Sequence, residues 1–376
     1  MTGGSGVLGR AVVSRLLRGG WKVTVADRIP PPPECAGAGF AESDLEELAR
    51  RPDGMRDLVR GSTHVIHLAA KLPQHLLTEA AYRSMNVGVT EQLAVVAAGE
   101  GVSRFVFAST IEMYGPQAVP RPLEETAERL FTGIYSRTKW ECEQILTGIS
   151  AESGMEAVFL RMPLIMGPGF RNEGTVLRAF SFMRWGVPLP VPAPDALVAF
   201  VSARDVAQAF ELAATVSGIS GEAFNIAASD NPTMMEHMRQ VVSGVGSRSR
   251  PYPVWRPLIS AVVAASRWSA GRPGATLFGA PAELVPFISV GGAYSIGKAR
   301  KVLGYAPQDS CADSWINTYN WWRGSRRETV RWAVERKRWR SPIARACVRC
   351  RSRGVRLLRA FLVDDANATK SGCPDS

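Results

Sequence analysis

Apolar and polar positions follow two rhythms from the first residues to Pro163. From Val7 to Arg18 the apolar residues Ala11, Val12 and Leu16 recur at helical spacing, and Gly19-Gly20 ends the run as a C-cap pair does. KVTVAD (Lys22–Asp27) is a short β-branched run and reads as a strand. The prolines of IPPPPE then force an exposed loop, because successive prolines cannot donate to a sheet or a helix. HVIHLAA (His64–Ala70) predicts a buried strand, and NVGVTEQLAVVAAGEGV a helix ending near Gly99 or Gly101. RFVFAST (Arg104–Thr110) predicts a strand, YSRTKWECEQIL (Tyr135–Leu146) a helix, and AVFLRMP (Ala157–Pro163) another strand.

This repeated alternation implies right-handed crossovers, hence an α/β, doubly wound parallel sheet with helices on both faces. Ligands of such sheets bind beyond the carboxyl ends of the strands. That rule gathers Gly3–Gly9, Asp27, Leu68–Ala70, Thr110 and Met162–Pro163 around one crevice. Past Pro163 the pattern changes. WGVPLPVPAPDALVAF is proline-rich and reads as irregular, VSARDVAQAFELAAT as helical and AFNIAAS as a strand. An apolar stretch near 254–270 precedes SIGKARKVLGY, and WINTYNWWR closes the globular part. The expected division is residues 1–160 for the sheet domain, 161–325 for a smaller C-terminal substrate lobe interleaved with it, and 326–376 for a tail.

Composition narrows the class. An apolar fraction of 46% is ordinary for a globular protein. No signal peptide pattern is present, and the longest apolar run, Pro257–Ser266, is too short to span a bilayer. Six cysteines, at 35, 142, 311, 347, 350 and 373, form no framework, which suits a reducing cytoplasm. The net charge of +11 is concentrated: fourteen basic residues against five acidic ones lie from Arg326 onward. The chain ahead of Arg326 is nearly balanced, so nothing there points to nucleic acid. The histidines at 64, 67, 75 and 237 and the pair Cys347-x-x-Cys350 lack metal-ligand spacing, so no metal is expected.

The candidate chemistry lies in two constellations. Gly3-x-x-Gly6-x-x-Gly9 ahead of a helix lets the backbone approach a pyrophosphate at the positive end of the helix dipole. Asp27 ends the strand that follows this helix, where a carboxylate can accept from both hydroxyls of an adenosine ribose. Arg28 beside it could instead meet a 2′-phosphate, so NAD is favoured and NADP stays open. The second constellation is Thr110, Tyr135 and Lys139. Tyr135 and Lys139 stand at i and i+4 on one helix face. An unperturbed tyrosine ionises near pH ~10, and a neighbouring ammonium favours its phenolate. Thr110 can donate a hydrogen bond to a substrate oxygen.

TGGSGVLG, Asp27, SDL (Ser43–Leu45), HLAA, MNVGVT, ASTIEMYG, YSRTK and LRMPLIMGPG occur in the order found in extended short-chain dehydrogenases/reductases, the NAD-dependent epimerase/dehydratase group. The chain resembles that family over about residues 1–323. The resemblance implies a Rossmann-type fold. It also implies that Gly3, Gly6, Val7, Leu8 and Gly9 hold the pyrophosphate and Asp27, with Arg28 beside it, the adenosine ribose. Asp44 and Leu45 would flank adenine, and Leu68, Ala69 and Ala70 would line the cofactor. Asn86 resembles the family's structural asparagine. Tyr135 would be the acid/base, Lys139 its tuner and a ribose ligand, and Pro163 to Ile165 would pack near the nicotinamide. Thr110 precedes Tyr135 by the interval the family shows. The family opens on a central strand ahead of the glycine turn. Only Met1 and Thr2 precede that turn here, so the first strand is expected to be missing and the translation start to lie upstream.

Three features bear on the reaction. Ile111 stands where dehydratases of this family carry an aspartate, although Glu112 follows. Leu164 stands where nucleotide-sugar epimerases often carry an asparagine and cannot donate a hydrogen bond. GGAYSIGKARKVLGYAP and the apolar stretch with Trp255 and Trp268 resemble the 3β-hydroxysteroid and sterol dehydrogenase branch. The expectation is an NAD(P)-dependent oxidoreductase acting on a secondary alcohol or ketone of a bulky apolar small molecule. A nucleotide-sugar 4-epimerase and an inactive cofactor sensor are the alternatives. The basic tail, with Arg345, Arg349, Arg353 and Arg356 at helical spacing, could rest on an anionic membrane, and a homodimer is implied by resemblance only.

Overall fold

The computed structural model describes residues 1–73, 77–117, 121–170, 175–254, 290–335 and short pieces at 257, 261, 264, 276–277 and 280–281. The chain divides into two compact units, Met1–Arg323 and Gly324–Ser376. Most of the apolar stretch near 254–270 and the basic tail from 336 lie outside the described residues.

Strands β1 (Thr24–Asp27) and β2 (Gly39–Glu42) pair in parallel. Strands β3 (His64–His67), β4 (Arg104–Thr110), β5 (Glu156–Met162) and β9 (Ala223–Asn225) form a second parallel run in that order. Thr2 joins the two runs, bridging Ala26 on one side and His67 on the other. Its amide donates to the Ile66 carbonyl at 3.0 Å, the Gly3 amide donates to Ala26 at 3.1 Å, and Ala26 donates back to Met1 at 2.8 Å. Among the described residues Met1–Gly3 hold the position between β1 and β3, over the carboxyl ends of these strands. The Met1 ammonium donates to the Thr24 carbonyl at 2.8 Å, and burial lowers its pKa to about 6.

All seven residues of β4 are buried, as befits a strand covered on both faces. One face is covered by α1 (Val7–Arg18) and α8 (Ala203–Thr215), whose Val12, Val13, Leu16, Val206 and Phe210 pack on Val25, Val106 and Leu160. Short helices α2 (Leu45–Leu48), α3 (Pro52–Val59) and α4 (Glu79–Tyr82) follow. A π-helical turn, Arg83–Gly88, leads from α4 into α5 (Val89–Gly99). Helices α3, α5 and α6 (Ile134–Ser153) cover the other face, with Met55, Leu93, Cys142 and Leu146 against Phe105, Phe107 and Phe159. Helix α6 runs to Ser153, beyond the Leu146 expected from the apolar pattern, and ends at Gly154, whose left-handed φ of 75° stops it.

The second core sits beyond Met162. Strand β6 (Leu164–Met166) pairs with β8 (Phe200–Ser202), and β7 (Leu189–Val191) pairs with β10 (Pro251–Pro253). The proline-rich segment read as irregular therefore contains β7 and the start of β8. Pro190 is exposed while Leu189 and Val191 are buried, so a proline on a two-stranded pair costs no buried donor. Likewise, the segment read as helical from Val201 begins within β8. Ser202 then caps α8 by accepting from the Asp205 amide at 3.1 Å. Helices α7 (Thr175–Trp185), α9 (Met234–Gly244) and the start of α10 (Cys311–Glu335) enclose an aromatic and methionine-rich core of Phe180, Met183, Met238, Trp315 and Tyr319.

Candidate active site

The glycine turn is built by crowding. Gly3 has φ +69°, and a Cβ there would lie 2.8 Å from the Ala69 nitrogen; at Gly9 it would lie 2.2 Å from the Gly3 carbonyl oxygen. Both contacts are sterically forbidden, so these positions seat the turn on β3 and on α1. Gly6 differs: it is exposed, caps α1 in an extended conformation, and a Cβ there would meet only the Gly3 oxygen at 3.5 Å. No side chain caps the first amides of α1, and no acid lies in its first turn. The helix end is thereby left as a site for an anion, with Val7 and Leu8 supplying its first amides. Asp27 is drawn to the same place: one carboxylate oxygen accepts from the Ser5 amide at 3.1 Å and the other from the Arg28 amide at 2.8 Å. A helix terminus without a side-chain cap, with a carboxylate at the end of the next strand, fits a dinucleotide with a free ribose diol.

The neighbouring candidate residues lie as follows. Leu68, Ala69 and Ala70 continue β3 past His67 and are partly exposed beside Gly3. Asn86 is buried and locks that segment to α6. Its Oδ1 accepts from the Lys71 amide at 2.8 Å, and its Nδ2 donates to the Lys71 carbonyl at 3.1 Å and to Thr138 Oγ1 at 3.2 Å. Asp44 caps α2, its Oδ1 accepting from the Glu46 and Glu47 amides, while Leu45 is buried. Pro163 is buried, Ile165 packs partly on the first core, and Leu164 between them is exposed.

Thr110 ends β4, opposite Met162 on β5, and its Oγ1 accepts from the Glu112 amide at 3.2 Å. Tyr135 and Lys139 lie in the first turns of α6, and both are buried. The Lys139 ammonium sits 4.0 Å above the centroid of the Phe107 ring on β4. Burial lowers its pKa to about 8, against the opposing influence of Cys142 and Glu143. Lys139 therefore holds its proton less firmly than a free lysine yet stays mostly a cation at neutral pH, one helical turn along α6 from a phenol.

Two groups escaped the sequence reading. His67, on β3, joins the N-terminus to α5: Nδ1 pairs with Thr2 Oγ1 at 2.6 Å and Nε2 with Thr90 Oγ1 at 3.0 Å. Burial, the Lys139 charge and the N-terminal charge lower its pKa to about 3, so it is neutral. Glu143 and Arg161 form a buried ion pair, Nη2 to Oε2 at 2.6 Å. Glu143 could have been found as the acid one helical turn after Lys139. His67 carried no signal, because both its partners are remote in sequence. Among the described residues no cluster of histidine, cysteine, aspartate or glutamate could hold a metal.

The sequence matches the family model of the NAD dependent epimerase/dehydratase family over residues 1–227. It is 27% identical over 326 residues to a 3-beta-hydroxysteroid dehydrogenase of Mycolicibacterium neoaurum, covering 82% of this chain and 86% of that protein. It is 33% identical over 167 residues to a UDP-glucose 4-epimerase of Streptomyces lividans, covering 42% of this chain and 49% of that one. The chain thus spans about half the length of that epimerase. The fold is similar to the crystal structure of a UDP-glucose 4-epimerase with UDP-glucose from Thermotoga maritima, with TM-score 0.68 and 22% identity, covering 86% of this chain and 98% of that one. A parallel sheet, a glycine turn with Asp27 beside it, a Tyr–Lys pair on α6 and a family match over more than half the chain agree: the protein belongs to the NAD-dependent epimerase/dehydratase family, an enzyme family of the extended short-chain dehydrogenase/reductase class.

Proposed function

We propose that this protein is an NAD-dependent oxidoreductase that interconverts a secondary alcohol and a ketone on a bulky, largely apolar, sterol-like small molecule. The observation that carries the reading is the Tyr135–Lys139 pair, both buried in the first turns of α6, with the Lys139 ammonium over the Phe107 ring of β4. NAD, when bound, supplies the acceptor for the substrate's hydride. Gly3, Gly6, Val7, Leu8 and Gly9 would hold its pyrophosphate, Asp27 its adenosine ribose, and Lys139 its nicotinamide ribose. Asp44, Leu45 and Leu68–Ala70 would line the adenine half, and Pro163 and Ile165 the nicotinamide half. Tyr135 takes the hydroxyl proton of the alcohol, with the Lys139 ammonium stabilising the phenolate, and returns it in the reverse direction. Thr110 orients the substrate oxygen. Ile111, 6% exposed, offers no proton for a departing hydroxyl, which argues against dehydration.

The choice of substrate rests on two supports. Similarity to the steroid dehydrogenase extends over four-fifths of this chain, whereas similarity to the UDP-glucose 4-epimerase covers less than half. Leu164, exposed between Pro163 and Ile165, adds apolar surface near the expected nicotinamide position. The test is a panel assay with NAD and NADP in turn, offering 3β-hydroxysterols, UDP-glucose and dTDP-glucose. The reading expects NADH from a sterol and none from the sugars. Sugar turnover without net NADH would assign an epimerase, and cofactor binding without any turnover a sensor. The basic tail is read from sequence as a contact for anionic lipid. Pelleting with phosphatidylglycerol vesicles should fall when residues 326–376 are removed, and equal pelleting would dismiss that role.

A further inference from the structure

The proposed chemistry leaves one buried charge on the catalytic helix unused. Glu143 lies one turn beyond Lys139 and is 2% exposed, and Arg161 near the end of β5 is 3% exposed. Arg161 Nη2 donates to Oε2 at 2.6 Å and Nε to Oε1 at 3.0 Å, and Ser109 Oγ donates to the same Oε1 at 2.5 Å. The remaining nitrogen, Nη1, donates to the Tyr114 hydroxyl at 2.8 Å and to the Glu125 carbonyl at 2.9 Å. Tyr114 in turn donates to Asn225 Oδ1 at 2.9 Å, and the Asn225 amide donates to the Glu125 carboxylate at 2.8 Å. Ser109 directly precedes Thr110, and the register sets Ser109, Arg161 and Asn225 side by side on β4, β5 and β9.

A buried ion pair is weak evidence for stability, since desolvation cancels most of its Coulomb energy. Its placement suggests a different use. The groups facing Lys139 are Tyr135, Cys142 and Glu143 on α6, His67 on β3 and the Phe107 ring on β4. His67 is neutral, and burial pushes the Cys142 thiol up to about 11, so neither carries charge near neutral pH. Glu143 is left as the anion among them. Around Glu143 stand Arg161, Ser109 and Lys139, with Arg129, Tyr114 and Glu125 beyond Arg161. The guanidinium and the serine hydroxyl both donate to the carboxylate, which is the surrounding an ionised acid needs when buried.

We infer that Glu143, clamped by Arg161 and Ser109, is a positioning residue that keeps the Lys139 ammonium protonated beside Tyr135 and ties the Thr110 end of β4 to the catalytic helix. The inference rests on Tyr135 acting as the acid/base. It works through Lys139: withdrawing the carboxylate lets the buried ammonium lose its proton more readily, and the phenolate loses its counter-charge. The direct effect of Glu143 on Tyr135 has the opposite sign but acts over two helical turns rather than one, so the indirect effect wins.

The test needs no substrate. Ultraviolet phenolate absorbance of the full-length protein saturated with NAD is titrated against pH, and the same titration of the matching Tyr135→Phe protein is subtracted. The midpoint for Tyr135 should rise by about one pH unit in Glu143→Gln, which removes the negative charge on the Lys139 side and keeps Arg161. It should rise by a fraction of that in Glu143→Asp, whose carboxylate retreats by one methylene. Should Glu143→Gln not fold, the Glu143→Asp midpoint carries the test alone. A purely structural role lowers the melting temperature of both variants and leaves the midpoint where it was; that result overturns the inference. A wild-type protein with no Tyr135 ionisation below the ordinary tyrosine range overturns the acid/base reading with it.

Discussion

His237 shows what a single buried residue costs. Its ring stacks on Phe200 at 4.8 Å between centroids and meets the edge of Trp315 at 5.1 Å. Among the described residues neither His237 nitrogen has a hydrogen-bond partner, and Trp315 Nε1 has none either. Each unpaired buried polar group costs about 1–3 kcal/mol. His237→Phe keeps the stacking and removes two of these atoms, so it should raise unfolding free energy in urea at pH 7, by about 1–3 kcal/mol. His67→Leu should do the reverse by a similar amount, because it removes the buried ring's hydrogen bonds to Thr2 and Thr90. The contrast between two equally buried histidines was not legible in sequence, where both read simply as residues without metal spacing. The place of Asp27 was legible from its distance along the chain to the glycine turn, and that of Asn86 only through the family resemblance of MNVGVT.

At the scale of elements, the glycine turn separates fold from binding. Gly9→Ala drives a methyl into the Gly3 carbonyl and should destabilise the protein by about 1–3 kcal/mol, with loss of NAD binding as a consequence. Gly6→Ala adds its methyl where no atom lies nearer than 3.5 Å. It should leave the melting curve within error and weaken NAD binding by about tenfold or more, read by calorimetry. Equal effects on melting in the two variants would remove the pyrophosphate assignment. Helix α1, strand β4 and the start of α6 were legible because their apolar periodicity is long and their ends are marked by glycine or by a change of rhythm. Strands β7 and β8 were not, because three residues among prolines carry no period. The central position of the sheet was legible only as a missing strand. A sequence pattern cannot show that the backbone of Met1–Gly3, with Thr2 as the bridge, hydrogen-bonds the ends of β1 and β3.

For the whole molecule, the buried histidines set a pH limit. The folded pKa values of His67 and His237 both lie near 3, below the unfolded value of 6.5. The unfolded chain therefore binds protons that the folded chain refuses. Stability is intact above pH 6.5 and falls as pH drops from 6.5 toward 3, by about 1.4 kcal/mol per pH unit for each histidine. Urea midpoints measured between pH 7 and 4 should decline, and the decline should be shallower in His237→Phe. A flat profile would contradict the burial of both rings. The change of pattern at Pro163 was visible in the sequence, but substrate identity was not, since the second core spends its aromatic residues on packing.

The measurement closest to the central claim is the absorbance of NADH formed from NAD and a 3β-hydroxysterol by wild type and by Tyr135→Phe, with NAD affinity measured on both. The account predicts that Tyr135→Phe binds NAD as wild type does and loses at least about a hundredfold in turnover. Undiminished turnover in that variant would contradict it.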